Sequence, residues 1–187
     1  MKKTIASALL ALLAGCNQAT SSPIDEKSAC ELLDTGSLQS ILAANIELQT
    51  TLVDDFERRL SGVASRCKVL FVDDPAPTTF AEQFKQRTLV FSLYTPESFA
   101  KGNSLMEEKG KKPTLDFERH WSNLSRNQKV DDLARGQGFI REVSVGKMKE
   151  TQGLLRHDDL LVVISVANAP ADTAQKLLTT ISEHGKF

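Results

Sequence analysis

The stretch from residue 153 to residue 181 constrains the fold of this chain more than any other. It reads Gly153-Leu154-Leu155, then the polar Arg156-His157-Asp158-Asp159, then Leu160-Leu161-Val162-Val163-Ile164-Ser165-Val166. Aliphatic and β-branched residues on both sides of a charged, aspartate-bearing turn predict an antiparallel hairpin. Asn168-Ala169-Pro170 then opens a helix in which Ala174, Leu177, Leu178 and Ile181 form one apolar stripe, with Gly185 at its end. A hairpin is marginal alone and needs its apolar face covered; a helix of this kind covers it. The expected fold class is α+β: one layered domain, mostly antiparallel sheet covered by helices.

Upstream segments fit the same plan. Cys30, Leu32, Leu33, Leu38, Ile41 and Leu42 recur at near-helical spacing, interrupted by Asp34-Thr35-Gly36. That pattern predicts a short turn, then a helix to about residue 44 with Asp34 or Thr35 as its cap. Residues 45–63 carry no decisive period. Val69-Leu70-Phe71-Val72 predicts a strand, stopped by Asp73-Asp74-Pro75-Ala76-Pro77. Residues 88–94 read as the next strand, and Thr95-Pro96 opens a helix in the favoured cap-then-proline order. A further helix is expected after Gly110-Lys111-Lys112-Pro113, with Thr114 as cap and Phe117, Trp121 and Leu124 on one face. Residues 139–145 alternate like a half-buried strand.

The N-terminus carries a different message. Lys2 and Lys3 precede an apolar run from residue 5 to residue 13, which ends in Leu12-Leu13-Ala14-Gly15-Cys16. The run is too short to span a bilayer and has the three-part order of a secretory signal. Its ending resembles the bacterial lipobox, Leu13-Ala14-Gly15-Cys16. The resemblance implies that residues 1–15 are a signal peptide removed by cleavage and that Cys16 is acylated and becomes the mature N-terminus. Residues 16–27, short and polar with one proline, then form a tether, and residues 28–187 the single domain. In a Gram-negative cell, Asn17 rather than aspartate after Cys16 implies release to the outer membrane, with the domain facing the periplasm.

Cleavage removes two lysines and no acid, so the formal charge moves from −1 to about −3 by the ordinary ionisation of these side chains. A mildly acidic, mixed-sign chain gives no footprint for nucleic acid. Two cysteines follow Cys16, Cys30 and Cys67. In an exported chain they read as a disulfide with one possible connectivity; the alternative is two separate buried thiols.

Cys30-Glu31-Leu32-Leu33 opening a helix, Cys67 entering a strand, and the strand–charged turn–strand ending at 153–166 resemble the small α/β domains of many bacterial lipoproteins, related in architecture to PsbP-like folds. The resemblance covers roughly residues 28–187, although the helical material between Pro75 and Asn127 is longer than that plan. It implies binding or envelope-scaffolding roles and carries no catalytic residues.

The chain's own residues nominate little chemistry. His120, His157 and His184 lie in separate segments without metal-ligand spacing. No serine sits in a nucleophile motif. The pairs Asp54-Asp55, Asp73-Asp74, Asp131-Asp132 and Asp158-Asp159 fall at predicted turns or helix starts, where aspartate caps backbone N–H groups. Gly136-Gln137-Gly138 is too short a motif for phosphate, and Lys109-Gly110-Lys111-Lys112 reads as a solvated helix end. No cofactor or metal is expected. Three functions compete. First comes a non-catalytic, lipid-anchored envelope domain binding a protein partner or supporting an assembly. An immunity or inhibitor lipoprotein against a toxin or lytic enzyme is a specific form of it, with the Trp121 helix and the acidic pairs as contact face. A cell-wall enzyme using His120 with a neighbouring carboxylate comes last.

Overall fold

In the computed structural model, which describes residues 28–145 and 148–187, the chain enters through a short 3-10 turn, Ala29–Glu31, capped by Ser28. The signal segment, Cys16 and the tether lie outside the described residues. Helix α1, Thr35–Leu42, takes Asp34 as cap, its carboxylate accepting from Ser37 N–H. Strand β1 is Ile46–Thr51, α2 is Asp55–Ser61 and β2 is Val63–Phe71. The four-residue α3, Phe80–Gln83, precedes β3, Thr88–Tyr94. Then come α4, Pro96–Glu107, α5, Phe117–Ser125, and the two-residue β4, Asp131–Asp132. Strands β5, Gln137–Val145, β6, Met148–His157, and β7, Leu160–Ala167, lead to α6, Thr173–His184.

All described strands join one antiparallel sheet in the order β1-β2-β3-β7-β6-β5-β4. Two meanders, β1-β2-β3 and β4-β5-β6-β7, meet at a central seam where Phe91 lies opposite Ile164. Helices cover both faces, and alternation along β7 divides the load. Val162, Ile164 and Val166 point toward the 3-10 turn, α1 and α6, and join Leu89, Phe91, Leu93, Leu177, Leu178 and Ile181 in the larger core. Leu161 and Val163 point the other way, into a second core with Phe99 of α4 and Phe117 and Trp121 of α5. The α+β layered architecture expected from the sequence is therefore the one observed, with cover on two sides.

Several boundaries differ from expectation, each for a local reason. Strand β2 begins at Val63, not near Val69, because the polar Arg66 and Lys68 are carried by pairing to both β1 and β3, and Ser65 by pairing to Leu93 of β3. Helix α5 is capped by Asp116 rather than Thr114. The backbone at Thr114 and Leu115 is held instead by the Asn103 side-chain carboxamide of α4. The hairpin turn narrows to Asp158-Asp159, with Asp158 at φ 49°, because Arg156 and His157 still pair across to Leu161 and Leu160.

Cys30 and Cys67 form a disulfide that ties the 3-10 turn to the middle of β2. The entering chain is also held by Ala29 N–H donating to Ser65 Oγ, at 3.0 Å, and Ser28 Oγ lies 3.4 Å from Thr50 Oγ1. At the same end of the sheet, α2 packs tightly on α4. A Cβ on Gly102 would stand 2.7 Å from Arg58 O, and Ser98 Oγ donates to Gly62 O at 2.6 Å. The opposite end of β2, nine residues away or about 30 Å at 3.3 Å per residue, carries the long connection to β3.

Candidate functional site

That connection, residues 72–87, stands out from the sheet end and is braced at every turn. Its base is an ion pair: Arg87 Nε donates to Asp74 Oδ2 at 2.9 Å and its Nη2 to the other carboxylate oxygen. The same guanidinium lies over the Phe71 ring, 4.1 Å from its centroid. Asn45 Nδ2 donates to Asp73 Oδ2 at 2.7 Å, and Val72 N–H to Asn45 O at 3.0 Å. Gln86 Nε2 reaches across the loop to Pro75 O at 3.1 Å. From the β7–α6 turn, Asn168 Nδ2 donates to both Phe84 O and Gln86 O, at 2.7 and 2.8 Å.

The tip is helix α3. Thr79 and Glu82 form a reciprocal capping box, and the Glu82 carboxylate also accepts from Thr78 N–H and Oγ, each at 2.8 Å. These donors hold the Glu82 carboxyl below its ordinary pKa, and the Arg87 guanidinium does the same for Asp74. On this short helix Phe80 and Phe84 stand edge to face, 4.8 Å apart, and remain 73 % and 45 % exposed. Between the arms lies an open recess of about 660 Å³ lined by Pro75, Ala76, Pro77, Glu82, Lys85 and Arg87, among others. The loop thus presents two aromatic rings beside a proline-walled hollow with charges at its rim.

The residues singled out from sequence lie elsewhere. Trp121 is 9 % exposed and packs its ring 5.6 Å from that of Phe139 in the second core. The expectation that it anchors a partner is corrected: its apolar area is already spent inside the domain. His120, one residue before, is half-buried against the rings of Tyr94 and Phe99, at 5.2 and 5.3 Å. Burial, and secondarily the positive Arg141, hold its pKa below the ordinary histidine value. The charge acting on His120 is thus a cation, not the carboxylate that acid–base work would need. Arg141 itself donates to Gln152 Oε1 at 2.9 and 2.7 Å, and Gln152 to Glu150 at 2.6 Å, so this sheet face satisfies its own polar groups. His157 stacks near Phe187, and His184 is exposed at the end of α6.

The acidic pairs do the backbone work expected of them at two places. Asp54 caps α2, and Asp158 turns the hairpin; Asp73 and Asp74 brace the excursion, while Asp131 and Asp132 form β4. Gly136 takes φ 85° in the β4–β5 turn, and a Cβ on Gly138 would meet Leu154 O at 2.5 Å. Both glycines serve packing. Among the described residues no group of three or more His, Cys, Asp or Glu side chains is placed to hold a metal ion, and no helix is long and apolar enough to cross a membrane. Sequence reasoning missed the excursion, although Thr79-Phe80-Ala81-Glu82 spells a capping box, which marks a helix start.

Comparison with known proteins adds little to this geometry. No family model and no curated protein matches the chain. Among solved structures, the crystal structure of the extracellular domain of PknH from Mycobacterium tuberculosis is similar at 8 % identity and a TM-score of 0.43, over 85 % of this chain and 94 % of that one. A likeness at that level carries no argument about what this chain does.

Proposed function

We propose that this protein is a lipid-anchored, non-catalytic domain of the cell envelope that binds a protein partner through the β2–β3 excursion. The observation that carries the reading is the outward pair Phe80 and Phe84 on a loop braced by Asp74, Arg87, Gln86 and Asn168. Exposed aromatics fixed in place bind with less ordering cost than mobile ones, and a few anchor residues, aromatic ones often among them, dominate the energy of protein contacts. The lipid anchor is supported by the Leu13-Ala14-Gly15-Cys16 motif, and export by the Cys30–Cys67 disulfide, a bond that persists in oxidising compartments. In a Gram-negative source the anchor places the domain at the outer membrane, facing the periplasm. A protruding, pre-shaped loop is also what an inhibitor or immunity lipoprotein presents to a toxin or lytic enzyme, so that version uses the same residues.

A photo-reactive amino acid in place of Phe80, in the full chain in its own cells, tests the contact. One discrete cross-linked protein is expected, lost in Phe84→Ala and retained when the probe's neighbours are wild type. A diffuse ladder, or a species indifferent to Phe84, would overturn the reading. The anchor has its own check: Cys16→Ala should release the protein from membranes under alkaline and salt washes.

A further inference from the structure

The end of the sheet opposite the excursion carries an apolar surface that the partner-binding reading does not use. Leu52, Phe56 and Leu60 are 86 %, 61 % and 64 % exposed. Phe56 and Leu60 are four apart on α2 and so share one face of that helix. They are not side chains of a frayed helix. Its inner side is locked on α4 by the close approach of Gly102 to Arg58 O and by Ser98 Oγ donating to Gly62 O, and its start is capped by Asp54. Arg59 lies over the Phe56 ring, 5.5 Å from its centroid, and its Nε donates to Asp55 O.

The position of this surface matters as much as its composition. The described chain begins at Ser28, whose hydroxyl lies 3.4 Å from that of Thr50, and Leu52 is two residues beyond Thr50. Twelve residues, 16–27, separate Cys16 from that point, and a chain of that length reaches at most about 40 Å even when fully extended. From these observations we infer that α2 and Leu52 rest on the lipid bilayer, so that Leu52, Phe56 and Leu60 enter the interfacial region with the Arg59 guanidinium at headgroup level. Apolar and aromatic side chains flanked by arginine are the chemistry of an interfacial contact. A tether that short supplies a high local concentration of bilayer, so a contact too weak to bind a free domain suffices to orient this one. The excursion then points away from the membrane.

This inference rests on the lipid anchor at Cys16, and one experiment separates the two. The full lipidated chain is reconstituted in vesicles of phosphatidylethanolamine and phosphatidylglycerol, with and without brominated acyl chains. Phe56→Trp, Leu60→Trp and, as control, Phe80→Trp are compared above the constant background of Trp121. Brominated lipid should quench emission from positions 56 and 60 and leave position 80 and the wild-type background unchanged. Wild-type chain that fails to float with the vesicles overturns the anchor, and the orientation with it. A chain that floats by way of Cys16 but shows no loss of emission at 56 and 60 overturns the orientation alone. Equal quenching at all three positions does the same, as does a Phe56-dependent dimer that is not quenched.

Discussion

His120 is a side chain whose ionisation is coupled to folding, because burial holds its pKa below the ordinary histidine value. Folding half-buries it between Tyr94 and Phe99 and sets Arg141 near it, so its folded pKa lies below its unfolded one. The neutral ring is the form the fold accepts. Its contribution to stability is therefore complete above the unfolded value of about 6.5, and is lost as pH falls through that value toward the folded one. The urea midpoint should drop between pH 7.5 and pH 5, and His120→Phe should flatten that slope while keeping an aromatic ring in place. An unchanged slope in His120→Phe would show that other groups set it. Asp74 has the opposite interest, since Arg87 holds its carboxyl low. The brace it makes is complete above the ordinary carboxylate range and loosens as pH falls below it. Phe80 is thus presented in the same way across the pH range in which His120 titrates.

At the scale of elements, the proposed contact belongs to α3, whereas α5, whose Trp121 was expected to meet a partner, packs into the second core. Trp121→Ala should cost about 3–5 kcal/mol, the usual loss for a large core aromatic, with partner cross-linking per folded molecule unchanged. Phe84→Ala should leave the unfolding free energy within about 0.5 kcal/mol of wild type, as for an exposed site, and abolish the cross-link from position 80. Reversal of either pair of results would return the contact face to α5. The elements most readable from sequence were those whose period and caps agree. Strand β3 and the start of α4 at Thr95-Pro96 match the expected residues, and α6 carries the predicted stripe of Ala174, Leu177, Leu178 and Ile181 into the core. Strand β1 was not readable because it is an edge strand with one buried residue, Ile46, and its polar faces leave no alternation. Helix α2 escaped for a related reason: none of its residues is buried, so it has no core-facing stripe, although Asp54 and Gly62 mark its ends. The Trp121 expectation failed because spacing shows which residues share a face but not whether that face meets solvent or a second core. The candidate contact was missed for the same reason, since spacing alone does not tell whether Phe80 and Phe84, four apart, meet a core or solvent.

At the scale of the whole molecule, the disulfide closes a loop with a sequence separation of 37 residues, which on the chain-entropy model stabilises the fold by about 3–4 kcal/mol. Replacing Cys30 and Cys67 together by alanine should lower the unfolding free energy by about that amount and raise the denaturant slope, because the freed unfolded chain exposes more surface. A loss below about 1 kcal/mol would show that the unfolded chain is already constrained. The seam between β3 and β7 has a different consequence. Every pairing on its N-terminal side joins strands consecutive in the chain, and so does every pairing on its C-terminal side. The seam alone unites residues 88–94 with residues 160–167. The long link between them crosses the surface at Gly110, exposed and at φ 65°, with open space around it. Each side of that glycine holds a complete meander and the helices that pack on it, so the protein is built as two complementary halves. A protease cut after Gly110 should leave a nicked molecule that keeps its native spectrum. Its two fragments should part in urea and, once the urea is removed, reassemble through β3 and β7 at a rate that rises with fragment concentration.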